Sequence, residues 1–346
     1  MWGNVLLVGL GSIGKRHFIS LLTLSKRLTV VDIDPVQLQW AREQSRLAGF
    51  HNLVTSASFE DSIRSSKFDL VTLATWGPDH ASQVRALLHA GSTKNIIVEK
   101  PLADSLEYCR ALEAFVHEGI ARIHINFSLR HMGLSQGINQ LAEELGLGDL
   151  VGVSVSGGAK CLSTTGVHYV DLANQLFGAD PVSVTCDATN HNINPRHSSL
   201  SYFEGSMSFL FPDDRRFVCT FFNSSSVSEV MTLYWRDSVG TFGADGELVV
   251  TSRDPSEIEQ HPSVTRTGIA SKLRFRGSVP TAYSAADALT GLYGHVGSAE
   301  ECSGLAEGFR ATEWLLGGLE ASRLGKRLTF PLDQNVVDLK RTWGIS

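Results

Sequence analysis

VLLVGLGSIG, residues 5–14, sets a short apolar run against three glycines spaced G-x-G-x-x-G. The run, taken as Asn4–Leu10, reads as a buried strand, and Gly11–Leu24 reads as a helix with Ile13, Phe18, Leu21 and Leu22 turned inward. The glycine spacing gains meaning from this place, after a first strand and at the start of a first helix. Gly9 permits a tight turn, Gly11 lets the backbone approach a pyrophosphate, and Gly14 lets helix and strand pack closely. Ser12 and Ile13 complete the loop. The helix start then offers free N–H groups and a partial positive charge to phosphates. The next strand, Leu28–Ile33, carries Asp32, eighteen residues after Gly14. A carboxylate there accepts hydrogen bonds from a ribose diol and repels a 2′-phosphate, and Ile33-Asp34 follows with no arginine. The pattern predicts NAD, with NADP less favoured. The competing reading is that the glycines only make a turn and Asp32 caps the following helix.

Working outward, strands and helices keep alternating. Pro35–Ala48 is helical, Leu53–Thr55 a short strand, Phe59–Ser65 a short helix, Phe68–Ala74 a strand and His80–Ala90 a helix. Ile96-Ile97-Val98 is another apolar run, followed by a helix with an expected capping box, Asp104 and Glu107, and a stop at Gly119. Arg122–Phe127 closes the series. Such alternation implies β-α-β units in a doubly wound parallel sheet, a Rossmann domain over residues 1–128. After about residue 130 the pattern changes. Helices at Leu134–Leu145 and Val167–Phe177 accompany a crowd of strands: Leu150–Ser156, Val182–Ala188, Tyr202–Phe211, Arg216–Phe222, Val230–Trp235, Val239–Gly243 and Glu247–Thr251. Residues 129–346 thus read as an α+β domain with a large, mostly antiparallel open sheet. Residues 252–285 read as a polar loop or lid, and Ser303–Leu324 as a long helix packing back toward the Rossmann domain.

Ligands in a doubly wound sheet lie beyond the carboxyl ends of its strands. Three stretches fall there. Ala74–His80 should border the cofactor, with Thr75 and His80 as contacts, unless His80 is only a helix-start residue. Glu99-Lys100-Pro101 ends another strand, so Glu99 and Lys100 point at the same crevice. A partly desolvated lysine near a cationic nicotinamide has its pKa drawn toward neutrality. Lys100 can then take a hydroxyl proton as hydride leaves the carbon. The third stretch, Thr164–Asp171, opens the second-domain helix. His168 and Asp171 share a helix face, and His168 can hydrogen-bond a substrate hydroxyl or relay a proton. Asn126, Arg130, Lys160, Thr164, Thr165 and Asp171 are the candidates for holding a polyol, with Arg130 and Lys160 also suited to a carboxylate or phosphate. Their competing reading is ordinary surface polarity.

The 346 residues are 42% hydrophobic and 19% charged, with net charge −6. No basic run stands out, so neither nucleic acid nor an anionic membrane is an expected partner. No apolar stretch approaches the ~20 residues a membrane span needs, and the N-terminus lacks a leader pattern, so a cytoplasmic protein is expected. Five scattered cysteines without C-x-x-C give neither a disulfide framework nor a metal site.

Together these motifs resemble the Gfo/Idh/MocA oxidoreductases, the family of glucose–fructose oxidoreductase and inositol dehydrogenase. The resemblance rests on Gly9–Gly14 continuing to His17, Glu99-Lys100-Pro101, Gly166-Val167-His168 with Asp171, and Glu320–Lys326. It implies that Lys100 and His168 flank the nicotinamide and the reacting carbinol. It implies an NAD-dependent dehydrogenase for a secondary alcohol of a sugar, cyclitol or sugar nucleotide. The open sheet needs its outer face covered, and a second subunit in a homodimer or homotetramer is one way to do that. Many members carry Asp four residues before the histidine, where this chain has Thr164. That departure shifts the proton chemistry to Lys100. It also leaves two alternatives: a sugar–sugar oxidoreductase with tightly held cofactor, and a non-catalytic NAD-binding regulator.

Overall fold

The computed structural model describes residues 1–117, 121–158, 160–191, 197, 199–260, 271–298 and 304–345. The chain forms two compact units: Met1–Met132 with Tyr283–Leu316 and Leu339–Ser346, and Gly133–Ala282 with Gly317–Asp338. A single cut after residue 128 therefore does not describe the division. Two later segments join the N-terminal sheet, because they carry apolar surface that its helices need.

The first unit alternates β1 (Trp2–Val8), α1 (Ser12–Leu24), β2 (Ser25–Val31), α2 (Pro35–Leu47), β3 (Leu53–Ser56), α3 (Phe59–Ser65), β4 (Leu70–Leu73), α4 (Gly77–Ala90), β5 (Asn95–Val98), α5 (Leu106–His117), β6 (Arg122–Ile125) and α6 (Ser128–Met132). The six strands are parallel in the order β3-β2-β1-β4-β5-β6. All four residues of β4, Thr72 among them, are buried, as expected of a strand covered on both faces. Local signals start the helices. Asp34 accepts from the Val36 N–H at the start of α2, with Pro35 in its first turn, and Ser58 accepts from the Asp61 N–H in α3. The expected Asp104–Glu107 box is not the cap of α5. Ser105 Oγ takes the Tyr108 N–H, while the Asp104 carbonyl receives the N–H of Trp343 from the C-terminal segment. Gly119 lies outside the described residues.

The second unit contains α7 (Leu134–Glu144), β7 (Leu150–Gly158), α8 (Val167–Phe177), β8 (Ser183–His191), β9 (Tyr202–Leu210), β10 (Arg216–Phe222), β11 (Val230–Trp235), β12 (Ser238–Phe242), β13 (Glu247–Arg253), α9 (Pro255–Gln260) and β14 (Ser271–Ser278). The expected loop over 252–285 therefore carries α9 and a full edge strand. β14 pairs antiparallel with β13, and residues 261–270 lie outside the described residues. Its alternation of charged with apolar residues hid it, because an edge strand is solvated. Two helices follow, α10 (Ala288–Ser298) in the first unit and α11 (Leu305–Leu324), within which the unit boundary falls, then the short β15 (Leu328–Thr329). The sheet runs β14-β13-β12-β11-β7-β10-β9-β8-β15, antiparallel except for the β7–β10 pair. One face is apolar and buried, with Val153, Val155, Phe209, Phe217, Cys219, Met231 and Leu233. The opposite face carries Tyr234, Val239 and Leu273, all exposed, among serines and threonines.

Candidate functional site

The register of the parallel sheet lines up its strand ends. Val8 pairs with Leu73, Leu73 with Val98 and Val98 with Ile125. The next residues, Gly9, Ala74, Glu99 and Asn126, therefore form one row along the carboxyl edge. Their N–H groups donate to Val31, Val8, Leu73 and Val98 carbonyls respectively, at 2.8–3.0 Å. This row is where an open parallel sheet binds ligands.

At the row's β1 end the three glycines do different work. Gly9 has φ +92°, and a Cβ there would lie 2.7 Å from the Ala74 carbonyl oxygen. A Cβ on Gly14 would lie 2.1 Å from the Gly9 carbonyl oxygen. A Cβ on Gly11 would meet no atom within 4 Å. Two glycines are thus needed by the fold, and the third faces open space. Gly11 is the N-cap of α1 and supplies no side-chain cap, and no acidic residue lies in the first turn, so the helix start remains suited to an anion. Ser12 is exposed and Ile13 half-buried at the loop's edge. Asp32 accepts from Leu10 N–H at 2.6 Å and from Asp34 N–H at 2.8 Å. It holds the glycine loop against β2, and it stays partly exposed. These features fit the pyrophosphate and adenine ribose of a dinucleotide.

Farther along the row the side chains lock together. Thr75 Oγ1 donates to Gln83 Oε1 at 2.6 Å. His80 is fully buried inside α4, with Nδ1 2.9 Å from the Pro101 carbonyl and Nε2 3.2 Å from the Thr75 carbonyl. Burial lowers its pKa, while the Pro101 carbonyl, the charge of Glu99 and the Thr75 carbonyl act the other way, and a neutral ring can donate to one of these two carbonyls at a time. It ties two strand-end loops to each other. The Lys100–Pro101 peptide is cis, and Lys100 is half-buried.

Glu99 is 4% exposed and turns into the protein. Its Oε1 accepts from His17 Nε2 at 2.9 Å and from Asn126 Nδ2 at 2.5 Å. Burial alone would raise its pKa. The hydrogen bond and charge of His17, the charge of Lys100 and the Asn126 bond outweigh that and hold it at about 2. Beyond His17, Nδ1 meets the Tyr293 hydroxyl at 2.7 Å, and that hydroxyl meets Thr72 Oγ1 at 3.2 Å. Thr72, Tyr293, His17, Glu99 and Asn126 thus form a continuous buried chain that ends beside Lys100. Tyr293 and Thr72 had no signature in the motifs. The apolar spacing Leu289, Leu292, Tyr293, Val296 is the signal that could have found this helix.

In the second unit a π-helical turn, Leu162–Gly166, leads into α8. Thr164 is nearly buried and Thr165 half-exposed in that turn, and His168 lies in the first turn of α8. Asp171 is 1% exposed and accepts from Gln175 Nε2 at 2.8 Å. Lys160 Nζ lies 3.4 Å from Glu229 Oε2, whose other oxygen accepts from the Tyr169 hydroxyl at 3.3 Å. Neither Glu229 nor Tyr169 was singled out from sequence. Gly157 admits this approach, since a Cβ on it would sit 2.6 Å from the Glu229 Cα. Arg130 lies on α6 of the first unit. No cluster of metal-ligating side chains and no helix long and apolar enough to cross a membrane occurs among the described residues.

Residues 3–127 match the family described as "Oxidoreductase family, NAD-binding Rossmann fold". The chain is 32% identical over 209 residues to inositol 2-dehydrogenase 3 of Saccharopolyspora erythraea, covering 56% of this chain and 58% of that protein. It is 31% identical over 121 residues to inositol 2-dehydrogenase of Klebsiella pneumoniae, covering 35% of each. The chain thus spans little more than half of the first relative and about a third of the second. In fold it is similar to levoglucosan dehydrogenase in complex with NADH, with TM-score 0.71 at 15% identity, covering 95% of this chain and 99% of that one.

Proposed function

We propose that this chain, whose residues 3–127 match the oxidoreductase family with an NAD-binding Rossmann fold, is an NAD-dependent dehydrogenase oxidising a secondary alcohol of an uncharged sugar or cyclitol. The observation that carries this reading is the row of strand ends, with its open Gly11 at one side and Lys100 near the other. Gly9, Gly11, Ser12, Ile13 and Gly14 would hold the pyrophosphate, Asp32 the adenine ribose, and the Thr75 and Glu99–Lys100 loops the nicotinamide half. NAD supplies the hydride acceptor. Lys100 Nζ receives the hydroxyl proton of the alcohol and returns it in the reverse direction. His168 donates or accepts a hydrogen bond at the substrate hydroxyl and fixes its orientation. Thr164 contributes a hydroxyl and no charge, so the proton falls to Lys100. Arg130, Thr165 and Asp171 are assigned to substrate positioning. Lys160 is matched by Glu229, which favours a neutral polyol over a uronate. The inositol dehydrogenases among the relatives point to the same substrate class.

The test is NADH absorbance with purified protein, NAD and a panel of inositols, neutral sugars and uronates. Turnover of a neutral polyol is expected, with uronates poorer. Lys100→Met should bind NAD normally and lose at least about a hundredfold in kcat, the usual contribution of a general base. Full activity in that variant removes Lys100 from the role. Firm NAD binding without turnover of any alcohol favours a regulator instead. That reading draws on the uncharged Thr164 and on a similar fold in a super-repressor mutant of Gal80p from Saccharomyces cerevisiae, TM-score 0.72 at 14% identity over 94% of this chain and 97% of that one. The exposed sheet face with Tyr234, Val239 and Leu273 is assigned to a second copy of the chain. Sedimentation should give a dimer or tetramer, and Leu273→Lys with Tyr234→Lys should shift it toward monomer. A monomeric wild type refutes this assignment.

A further inference from the structure

Glu99 carries a charge that its packing does not require. It is 4% exposed, and its Oε1 accepts from His17 Nε2 at 2.9 Å and from Asn126 Nδ2 at 2.5 Å. A glutamine could accept both hydrogen bonds without the cost of a buried charge. The surroundings nevertheless favour the anion. Burial opposes ionisation, and His17, Lys100 and Asn126 together outweigh it. An ionised carboxylate can only accept, so His17 Nε2 carries its hydrogen and Asn126 turns its NH2 group toward Glu99. Among the described residues, the groups that face Glu99 are His17 of α1, His80 of α4, Lys100, Asn126 and Tyr293 of α10. Burial keeps the Tyr293 hydroxyl neutral and disfavours the charged form of His80. The hydrogen-bonded chain behind His17 is no route for protons, since it passes the Tyr293 hydroxyl and stops at Thr72, which is fully buried. The charge of Glu99 therefore acts on its neighbour Lys100, which is half-buried and whose charge acts on Glu99 in turn.

We infer that Glu99 is a positioning residue that acts through its charge, holding Lys100 as the ammonium in the cofactor-free protein. An opposite charge within about 4–6 Å strengthens the hold of a lysine on its proton roughly tenfold or more. This inference rests on the reading above of Lys100 as the group that handles the proton. In that reading the ammonium is the form that protonates a ketone. At neutral pH the resting protein is thus set for reduction, and alcohol oxidation climbs as pH rises. His17, Asn126 and Tyr293 keep the carboxylate in place.

The test is competitive acetylation of the cofactor-free protein from about pH 7 to about pH 11, with mass spectrometry of the peptides carrying Lys100 and the exposed Lys26. In the wild type Lys100 should reach half-labelling at or above the pH of Lys26, although it is half-buried. Glu99→Gln keeps both hydrogen bonds and loses the charge. It should lower the half-labelling pH of Lys100 by at least about one pH unit, roughly tenfold in proton affinity, and leave Lys26 unchanged. Tyr293→Phe shortens the buried chain and keeps the charge, so Lys100 should stay within about 0.3 pH units of the wild type. Nitrogen-15 resonances of the imidazole at about pH 8 should show His17 as a neutral ring with its hydrogen on Nε2. An unchanged Lys100 in Glu99→Gln overturns the inference. So does an equal fall in Tyr293→Phe, which would mark a disturbed fold, or an imidazolium at His17, which would cancel the charge. A wild-type Lys100 that lies about one pH unit or more below Lys26 overturns it even where the variants do not fold. These outcomes leave the dehydrogenase reading standing, and absence of alcohol turnover removes that reading without touching them.

Discussion

At the scale of the residue, the glycine loop separates what folding needs from what a ligand needs. Gly14 cannot accept a Cβ, because the Gly9 carbonyl would lie 2.1 Å away. Gly11 can, since it has φ −63° and ψ −171° and nothing near its side-chain position. Gly14→Ala should therefore lose about 3 kcal/mol of stability or more through overpacking. Gly11→Ala should melt like the wild type, yet raise the Kd for NAD at least about tenfold, since its methyl occupies the space a pyrophosphate would take. Paired melting and titration curves check both. Equal NAD affinity in Gly11→Ala would falsify the placing of the pyrophosphate at this turn. These glycines and Asp32 were legible because their chemistry is local: a turn, a helix start and a strand end follow one another in sequence. Glu99 and His80 were legible only as positions. Their partners, His17, Asn126, Pro101 and Thr75, come from different strands and helices. Spacing along the chain says nothing about which of them meet.

At the scale of the element, α10 changes the account most. Leu289, Leu292, Tyr293 and Val296 pack into one core with Phe18 and Leu21 of α1 and Leu28 and Val30 of β2. Residues almost three hundred positions apart thereby share a core, and Tyr293 reaches the buried histidine behind the strand ends. Leu292→Ala, at a fully buried position, should cost about 2–5 kcal/mol. Urea unfolding measures this directly. A loss below about 1 kcal/mol would mean that α10 only rests on the surface. The helix escaped sequence reading because its three glycines and short length weaken the apolar period. β14 escaped for a different reason. Lys272, Arg274 and Arg276 give it the polarity of a loop, and its strand character comes from the ladder with β13. Interior strands such as β4 and β5 needed no such help, because burial on both faces writes itself into composition.

At the scale of the whole molecule, buried histidines set the response to acid. Burial holds His131 and His124 at about 4, and lowers His80 too. The unfolded chain takes up these protons near pH 6.5 and the native state resists them. Their contribution is therefore complete above about pH 6.5 and is lost as pH falls toward 4. Around His131 stand Arg130, His124 and His295, whose charges oppose its protonation, while the Ile125 carbonyl favours it. By linkage His131 alone should withdraw about 2 kcal/mol between pH 7 and pH 5. Denaturant midpoints at the two pH values should show the loss in the wild type and a smaller loss in His131→Gln. An identical pH dependence in the variant would remove His131 as a source. The sequence by itself determined a Rossmann sheet whose first strand ends in a glycine-rich turn, an acidic residue after the second strand, a lysine at a strand end and a large antiparallel sheet after it. Each of these is encoded by neighbours within a few residues, through periodicity, glycine and charge. Only the tertiary structure decided that segments after residue 282 complete the first unit, that Glu99 faces inward to His17 and Asn126, and that Lys160 is already paired. Those outcomes are settled by which distant side chains share a dry interior, where a charge must find a partner and a buried amide can face only one way.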